Sequence, residues 1–236
     1  MTAAEPRVLK HQVVRAQIEK LLLGLDIGDP VPAERDLAER FDVARETVRQ
    51  SLRELLVAGR IERHGRTTVV GRPKVVQPLM IGSYTEDALA QGRTAGRIPV
   101  GWADLKADEE LAEELQIPVG APVLEIERVL TTDDTRVGLE TTRLPADRYP
   151  GLITDFDHRS SLYAAIRARG IEFARTTEVI ETTLPDAREA ALLTVDARTP
   201  MFLLNRVSYD QNDIPIEKRR SLYRGDRMTF TATLTG

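Results

Sequence analysis

Two sets of side chains in this sequence combine residue types and spacings that could do specific chemistry. The first is Arg45, Thr47, Arg49, Gln50 and Arg53, inside VPAERDLAERFDVARETVRQSLRELLVAGRIERHGRTTVV, residues 31–70. Arginine, glutamine and threonine reach phosphates and donate to guanine or adenine edges in the major groove. Here they fall on successive turns of one helical face. The second set is Arg128, Glu140, Glu217 and Tyr223, with the hydroxyls of Ser83, Thr85, Ser160 and Ser161. Arg128 offers a planar fork of donors to a phosphate or carboxylate, and the two glutamates and the tyrosine can bind sugar hydroxyls or an amine. The plainer reading of Arg128 and Glu140 is a cross-strand ion pair.

The inventory for catalysis is thin. His11, His64 and His158 stand apart, with no companion at metal or triad spacing. There is no Walker-type phosphate loop and no dinucleotide fingerprint. No catalytic residue, metal or cofactor is therefore expected. Glu140 and Glu217 as a carboxylate pair are the enzymatic alternative.

The elements that must position the first set follow from periodicity. Arg45 to Ala58 carries Val48, Leu52, Leu55 and Leu56 as an apolar stripe opposite the arginines. A shorter helix, Glu34 to Phe41, precedes it across Asp42-Val43-Ala44, the short turn a helix-turn-helix requires. Ahead of both, residues 8–23 read as a helix with Val14, Ile18, Leu21 and Leu22 buried. After Gly59, the residues around His64-Gly65-Arg66 predict a two-stranded wing with a cationic tip.

Residues 1–74 hold 14 Lys and Arg against 11 Asp and Glu, a balance of +3; residues 75–236 hold 19 against 26, a balance of −7. A basic head on an acidic body suits a partner of nucleic acid. The chain has no cysteine, which rules out disulfides and thiolate metal sites. It has no apolar run near the roughly 20 residues of a membrane span. The N-terminus lacks an apolar signal core, and a cytoplasmic protein is expected.

Residues 72–80, with Pro73 and Pro78, read as an extended linker between a head at 1–71 and a body at 81–236. In the body, strands are expected at 100–106, 123–130, 137–144, 173–181, 201–208, 216–223 and 228–234, with helices at 108–115, 161–169 and 186–193. Tight turns at Asp133-Asp134 and Gln211-Asn212-Asp213 predict hairpins, hence a mainly antiparallel α+β fold. An internal repeat at an offset of 78 aligns Leu115 with Leu193, Pro122 with Pro200, Arg128 with Arg206 and Val129 with Val207. One gap in the second turn brings Glu140 opposite Glu217, and the two halves should pair about a pseudo-twofold axis.

PAERDLAERF, ARETVRQSLREL and the wing resemble the winged helix-turn-helix of the GntR family of bacterial transcriptional regulators. The resemblance implies DNA contacts by Arg35, Arg45 and Arg49, with Gly65 and Arg66 bringing the wing to the backbone or minor groove. Ala33 and Ala44 depart from it, standing where the family usually has a capping serine. Losing such a cap costs ~1 kcal/mol. Thr67 replaces a second wing glycine.

SYTEDALAQG, IERV, GLETTRLP, SSLY and EKRRSLYRGDR resemble the UTRA ligand-sensing domain of the HutC subfamily. That implies a chorismate-lyase-like fold, dimerisation through the body and a metabolite pocket. The second set of residues matches the effector contacts of regulators that sense amino-sugar phosphates. Leu130 stands where those regulators often have a second arginine, which leaves a carboxylate or a neutral sugar as alternatives. The expectation is a homodimeric, ligand-responsive regulator, more a repressor than an activator, bound to a near-palindromic DNA operator. An enzyme of chorismate-lyase-like fold is the competing reading.

Overall fold

The apolar stripes of the first seventy residues fold into α1 (Lys10–Leu22), α2 (Glu34–Phe41) and α3 (Arg45–Val57). The computed structural model describes residues 10–65, 67–82 and 84–234, and forms two compact units that divide between Lys74 and Val75. The expected helix residues 8 and 9, together with Arg66 and Ser83, lie outside the described residues. In the first unit Ile18, Leu37, Val48 and Leu55 are the centre of one core with Val14, Leu22, Leu52 and Ile61, each such side chain contributing about 1.5–3 kcal/mol. Leu21 is only partly buried against it. The buried Ser51 hydroxyl donates to the His11 carbonyl at 2.8 Å, tying α3 to α1.

Asp42 ends α2 in the left-handed region, φ 51°, and its neighbour Val43 donates to the Ala38 carbonyl at 3.1 Å. Ala33 and Ala44 take the extended backbone of N-caps but supply no side-chain bond, as their methyl groups dictate. The wing is β1 (Ile61–His64) against β2 (Thr67–Val70), with His64 opposite Thr67. The strand β1 is followed by Gly65 with φ 61°, a conformation glycine adopts without steric penalty. Val31 donates to Thr68 at 2.8 Å and Val70 to Asp29 at 2.9 Å, anchoring the wing to the segment before α2.

The second unit runs β3 (Val75–Pro78), α4 (Tyr84–Ala90), β4 (Ala95–Lys106), α5 (Glu109–Leu115), β5 (Pro122–Thr132), β6 (Thr135–Pro145), α6 (Leu152–Asp155) and α7 (Leu162–Arg167). It continues β7 (Arg175–Thr183), α8 (Ala187–Leu193), β8 (Met201–Tyr209), β9 (Pro215–Arg224) and β10 (Met228–Thr231). Six strands form one antiparallel sheet in the order β4-β5-β6-β9-β8-β7, so the α+β expectation holds. Two elements correct the sequence reading. β4 begins at Ala95, not Val100. Part of the expected linker 72–80 is β3, paired in parallel with β10. Val75 is buried there with Tyr84, Leu130 and Met228, and the Gln91 side chain bridges the backbone N–H and C=O of Val76. Only the return of the distant C-terminal strand makes 75–78 a strand.

The repeat is visible in the topology. Each half runs strand, helix, strand, strand, and the sheet order is symmetric about the boundary between β6 and β9. Asp108 and Asp186 both cap their helices by accepting from the backbone three residues on, and Gln116 and Thr194 both close them in the left-handed conformation. The alignment of Glu140 with Glu217 is corrected by the register. Arg128 pairs with Glu140 across 12 positions, whereas Arg206 pairs with Arg219 across 13. The second hairpin is one residue longer between these pairs, not shorter, and the counterpart of Glu140 is Arg219.

β6 and β9 approach closely at Gly138, where a Cβ would stand 2.8 Å from Tyr223 Cδ1 and 3.1 Å from the Leu222 carbonyl oxygen. Gly138→Ala should therefore destabilise the chain by about 1–3 kcal/mol, the usual penalty of overpacking. Thermal melting checks this, and an unchanged midpoint would contradict the close approach.

Candidate functional site

In the head, the face of α3 opposite the core presents Arg45, Gln50 and Arg53 exposed, with Thr47 and Arg49 half-buried beside them. Among the described residues Arg45 makes no ion pair. Arg49 is held by two carboxylates, Glu34 of α2 at 3.1 Å and Glu46 at 2.8 Å. Its hydrogen bond to Glu34 and the charges of Glu34 and Glu46 push its pKa up. Arg53 lies 3.5 Å from Glu46, and Arg35, on α2, lies 3.2 Å from Asp36. These exposed pairs are worth little in water, and they orient guanidinium groups that a phosphate can recruit. A cleft between α3 and the wing is lined by Glu34, Arg49, Arg53, Arg63, Gly65 and Thr67. Arg63 was not anticipated from the sequence, because a strand of four residues gives no facing signal.

In the body, one face of the sheet gathers Arg97 of β4, Arg128 of β5, Glu140 and Thr142 of β6 and Arg219 of β9, covered by Tyr84 of α4 and by Ser161 and Tyr163 at the start of α7. Arg128 Nη2 donates to Glu140 Oε1 at 2.6 Å, and Nη1 donates to the Ser160 carbonyl at 3.1 Å. Arg219 Nη1 stands 3.5 Å from Glu140 Oε2. Arg97 Nη1 donates to Thr85 Oγ1 at 2.9 Å. Arg128 and Glu140 are only 2% and 5% exposed, so this pair is desolvated, while Arg97 and Arg219 are partly buried beside it. The Nε groups of Arg97, Arg128 and Arg219 and the Thr142 hydroxyl are buried without a hydrogen-bond partner among the described residues. An unmade buried bond costs about 1–3 kcal/mol, so a protein that keeps several in one place holds donors ready for a ligand. The enclosed space is about 10 Å³, roughly the room of one water.

The expected effector residues divide. Arg128, Glu140 and Ser161 line this pocket, Ser161 also capping α7 by accepting from Ala164 at 3.3 Å. Thr85 reaches it through Arg97. Ser160 touches Arg128 by its carbonyl, while its hydroxyl donates to the Asp157 carbonyl at 2.7 Å. Glu217 and Tyr223 do not line it. Glu217 is wholly buried and accepts from Ser208 Oγ at 2.7 Å and from the Tyr163 hydroxyl. Tyr223 packs edge-on to Phe230 at 5.3 Å, in the wall of a second small cavity.

Leu130, where a second arginine was expected, is fully buried in the core with Tyr84 and Tyr223. Its cross-strand partner is Arg97, so the second cation comes from the neighbouring strand. Arg219 could have been found in the sequence, since it alternates with Glu217 and Tyr223 on one side of β9. Arg97, Tyr84 and Tyr163 could not, because their approach depends on register and on a helix too short to be periodic. Among the described residues, no group of three His, Asp or Glu is placed to hold a metal ion, and no helix is long and apolar enough to cross a membrane.

Burial alone would raise the pKa of Glu140, but the charges of Arg128, Arg219 and Arg97 outweigh it and hold the carboxyl at about 2. An unfolded glutamate titrates near 4.3, so ionised Glu140 contributes about 3 kcal/mol. That contribution is complete above about pH 5 and is lost as pH falls from about 4.3 through 2. The melting temperature of the wild type should therefore fall more steeply below about pH 5 than that of Glu140→Gln. Parallel pH curves for the two would contradict the assignment.

Known proteins agree with these two units. The family of bacterial regulatory proteins called gntR matches residues 10–70, and the UTRA domain matches residues 90–229. The HTH-type transcriptional repressor PhnF of Mycolicibacterium smegmatis is 71% identical over 235 residues, 99% of this chain and 96% of that protein. The HTH-type transcriptional repressor NagR of Bacillus subtilis is 34% identical over 204 residues, 85% and 84% of the two chains. The crystal structure of PhnF superposes with a TM-score of 0.72 at 70% identity, covering 94% of this chain and 99% of that one. With a DNA-reading head, a sensing body and relatives of this kind over nearly its whole length, the chain belongs to the gntR family of bacterial regulatory proteins and is a ligand-responsive transcriptional repressor.

Proposed function

We propose that this repressor, a member of the HutC subfamily acting in the cytoplasm, binds a near-palindromic operator as a homodimer and leaves it when a small anionic metabolite enters the arginine pocket of the body. The observation that carries this reading is the cluster of Arg97, Arg128 and Arg219 around the single carboxylate of Glu140. Three guanidinium groups, Arg128 buried and Arg97 and Arg219 partly so, facing one lining carboxylate favour an anion over a neutral sugar, which brings no charge to an excess of cations. An amino-sugar phosphate is the first candidate, its phosphoryl group taken by Arg128 with Arg97 and Arg219. Ser161 and Tyr163 are close enough to contact it. The pocket must open to admit it, and α4, which follows β3 within a few residues, is the element that can carry the change toward the head. The effector must favour one arrangement of the heads over the other, since equal affinity for both shifts nothing.

On the DNA side, Arg45, Thr47, Gln50 and Arg53 of α3 are the proposed base and phosphate readers. Arg35 and Arg49 contact the backbone, and Gly65 and Arg66 bring the wing to it. A body-mediated dimer would set two such helices about one helical turn, or a multiple, apart.

Two outcomes test the reading. Arg45→Ala should remove operator preference, because a good base contact supplies about 1–3 kcal/mol of discrimination. Arg35→Ala should weaken every sequence alike and flatten the salt slope by about one unit. Selection from fragmented genomic DNA reads both, and a purified protein without sequence preference would refute the operator. Separately, Arg128→Ala should abolish release by sugar phosphates while leaving operator binding intact. Release of that variant at wild-type effector concentrations would move the effector elsewhere.

A further inference from the structure

Arg128 has five N–H donors on three nitrogens, and two of those nitrogens are engaged. Nη2 is spent on Glu140 at 2.6 Å and Nη1 on the Ser160 carbonyl at 3.1 Å, and Nε alone is without a partner. An oxyanion binds a guanidinium best through two parallel N–H bonds, and both edges of Arg128 that could give them include Nη2, which already carries the Glu140 carboxylate. The space confirms the conflict, because about 10 Å³ holds no oxyanion beside the Glu140 carboxylate.

We propose that Glu140 is an internal counter-ion, a carboxylate that competes with the effector's anionic group for Arg128 and must swing off it for the effector to bind. This rests on the reading of the arginine pocket as the effector site. The carboxylate has somewhere to go, since its second oxygen already stands 3.5 Å from Arg219.

The other half of the pseudo-repeat shows what a permanent pair looks like. Arg206, the counterpart of Arg128, is gripped by both oxygens of Glu178, at 2.8 and 2.9 Å. Arg128 receives one oxygen of Glu140 only. Glu217, wholly buried, is held through one oxygen by Ser208 and Tyr163 and does not line the pocket, so Glu140 is the lining carboxylate that can exchange. The arrangement gives Arg128 a counter-charge while the pocket is closed. It also sets a threshold, because a neutral compound offers nothing in exchange for the carboxylate.

The test is the thermal stability of the full-length protein titrated with sodium phosphate and sodium sulfate, against sodium chloride at equal ionic strength. Wild type, Glu140→Gln and Glu140→Asp are compared. Glu140→Gln removes the competing charge, so its half-stabilising phosphate concentration should be lower than that of wild type by about tenfold or more, the coupling expected of one close charge pair. Its midpoint without phosphate should lie below that of wild type. Glu140→Asp, which keeps the charge but shortens its reach, should fall between the two and supplies the comparison if Glu140→Gln does not fold without phosphate.

Wild type stabilised by phosphate with both variants equally or less sensitive would overturn the internal counter-ion and leave the anion pocket standing. No stabilisation of any of the three beyond sodium chloride would overturn the pocket itself, and the proposal with it.

Discussion

The body of this repressor depends on how it buries one carboxylate among several arginines. Moving a single guanidinium out of water costs several kcal/mol, and the penalty is recovered only through close, hydrogen-bonded opposite charge. Glu140 supplies that charge to Arg128 directly and to Arg219 at a longer reach. Without it, the buried Arg128 of β5 would lose its ion pair beside Arg97 of β4 and Arg219 of β9. The pair is therefore structural in origin, and its incompleteness gives it a use: the Nε donors left unpaired around it are capacity that an anion from outside can take up.

The pseudo-twofold arrangement places equivalent arginines on the two sides of the sheet's centre. Each half contributes a strand bearing an arginine at the same place, Arg128 and Arg206, and the halves join through β6 and β9 next to them. The same positive charge thus recurs in each copy. The two copies then diverged in how they balance it. One uses a two-bond pair with an edge-strand glutamate, Glu178, and the other a one-bond pair inside the pocket. In the head the logic is simpler: one small core fixes three helices, and the wing is stitched to the chain before α2.

Most of this architecture was legible in the sequence. Stripes of period 3.6 gave α2 and α3 nearly to the residue, and alternation with tight turns gave the hairpins of the sheet. The repeated Arg-Val at the ends of two strands pointed to Arg128. What failed did so where neighbours are set by register. A two-residue error in the second hairpin paired Glu140 with Glu217, when the cross-strand ladder makes Arg219 its counterpart. Glu217 and Tyr223 sit on the expected side of β9, but one is consumed by Ser208 and Tyr163 and the other by Phe230. Leu130 looked like a missing cation because Arg97 lies on the next strand, at the same level and more than thirty positions earlier. β3 was hidden because its partner is the last strand of the chain.

The central claim is that the arginine cluster is an anion site whose own carboxylate yields to the ligand. Crystals of the full-length protein grown with selenate, with diffraction collected at the selenium edge, test it most directly. The account predicts an anomalous peak within hydrogen-bond reach of Arg128 and Arg219, with Glu140 turned off Arg128. A peak only at surface positions, with the Arg128–Glu140 pair intact, would contradict it.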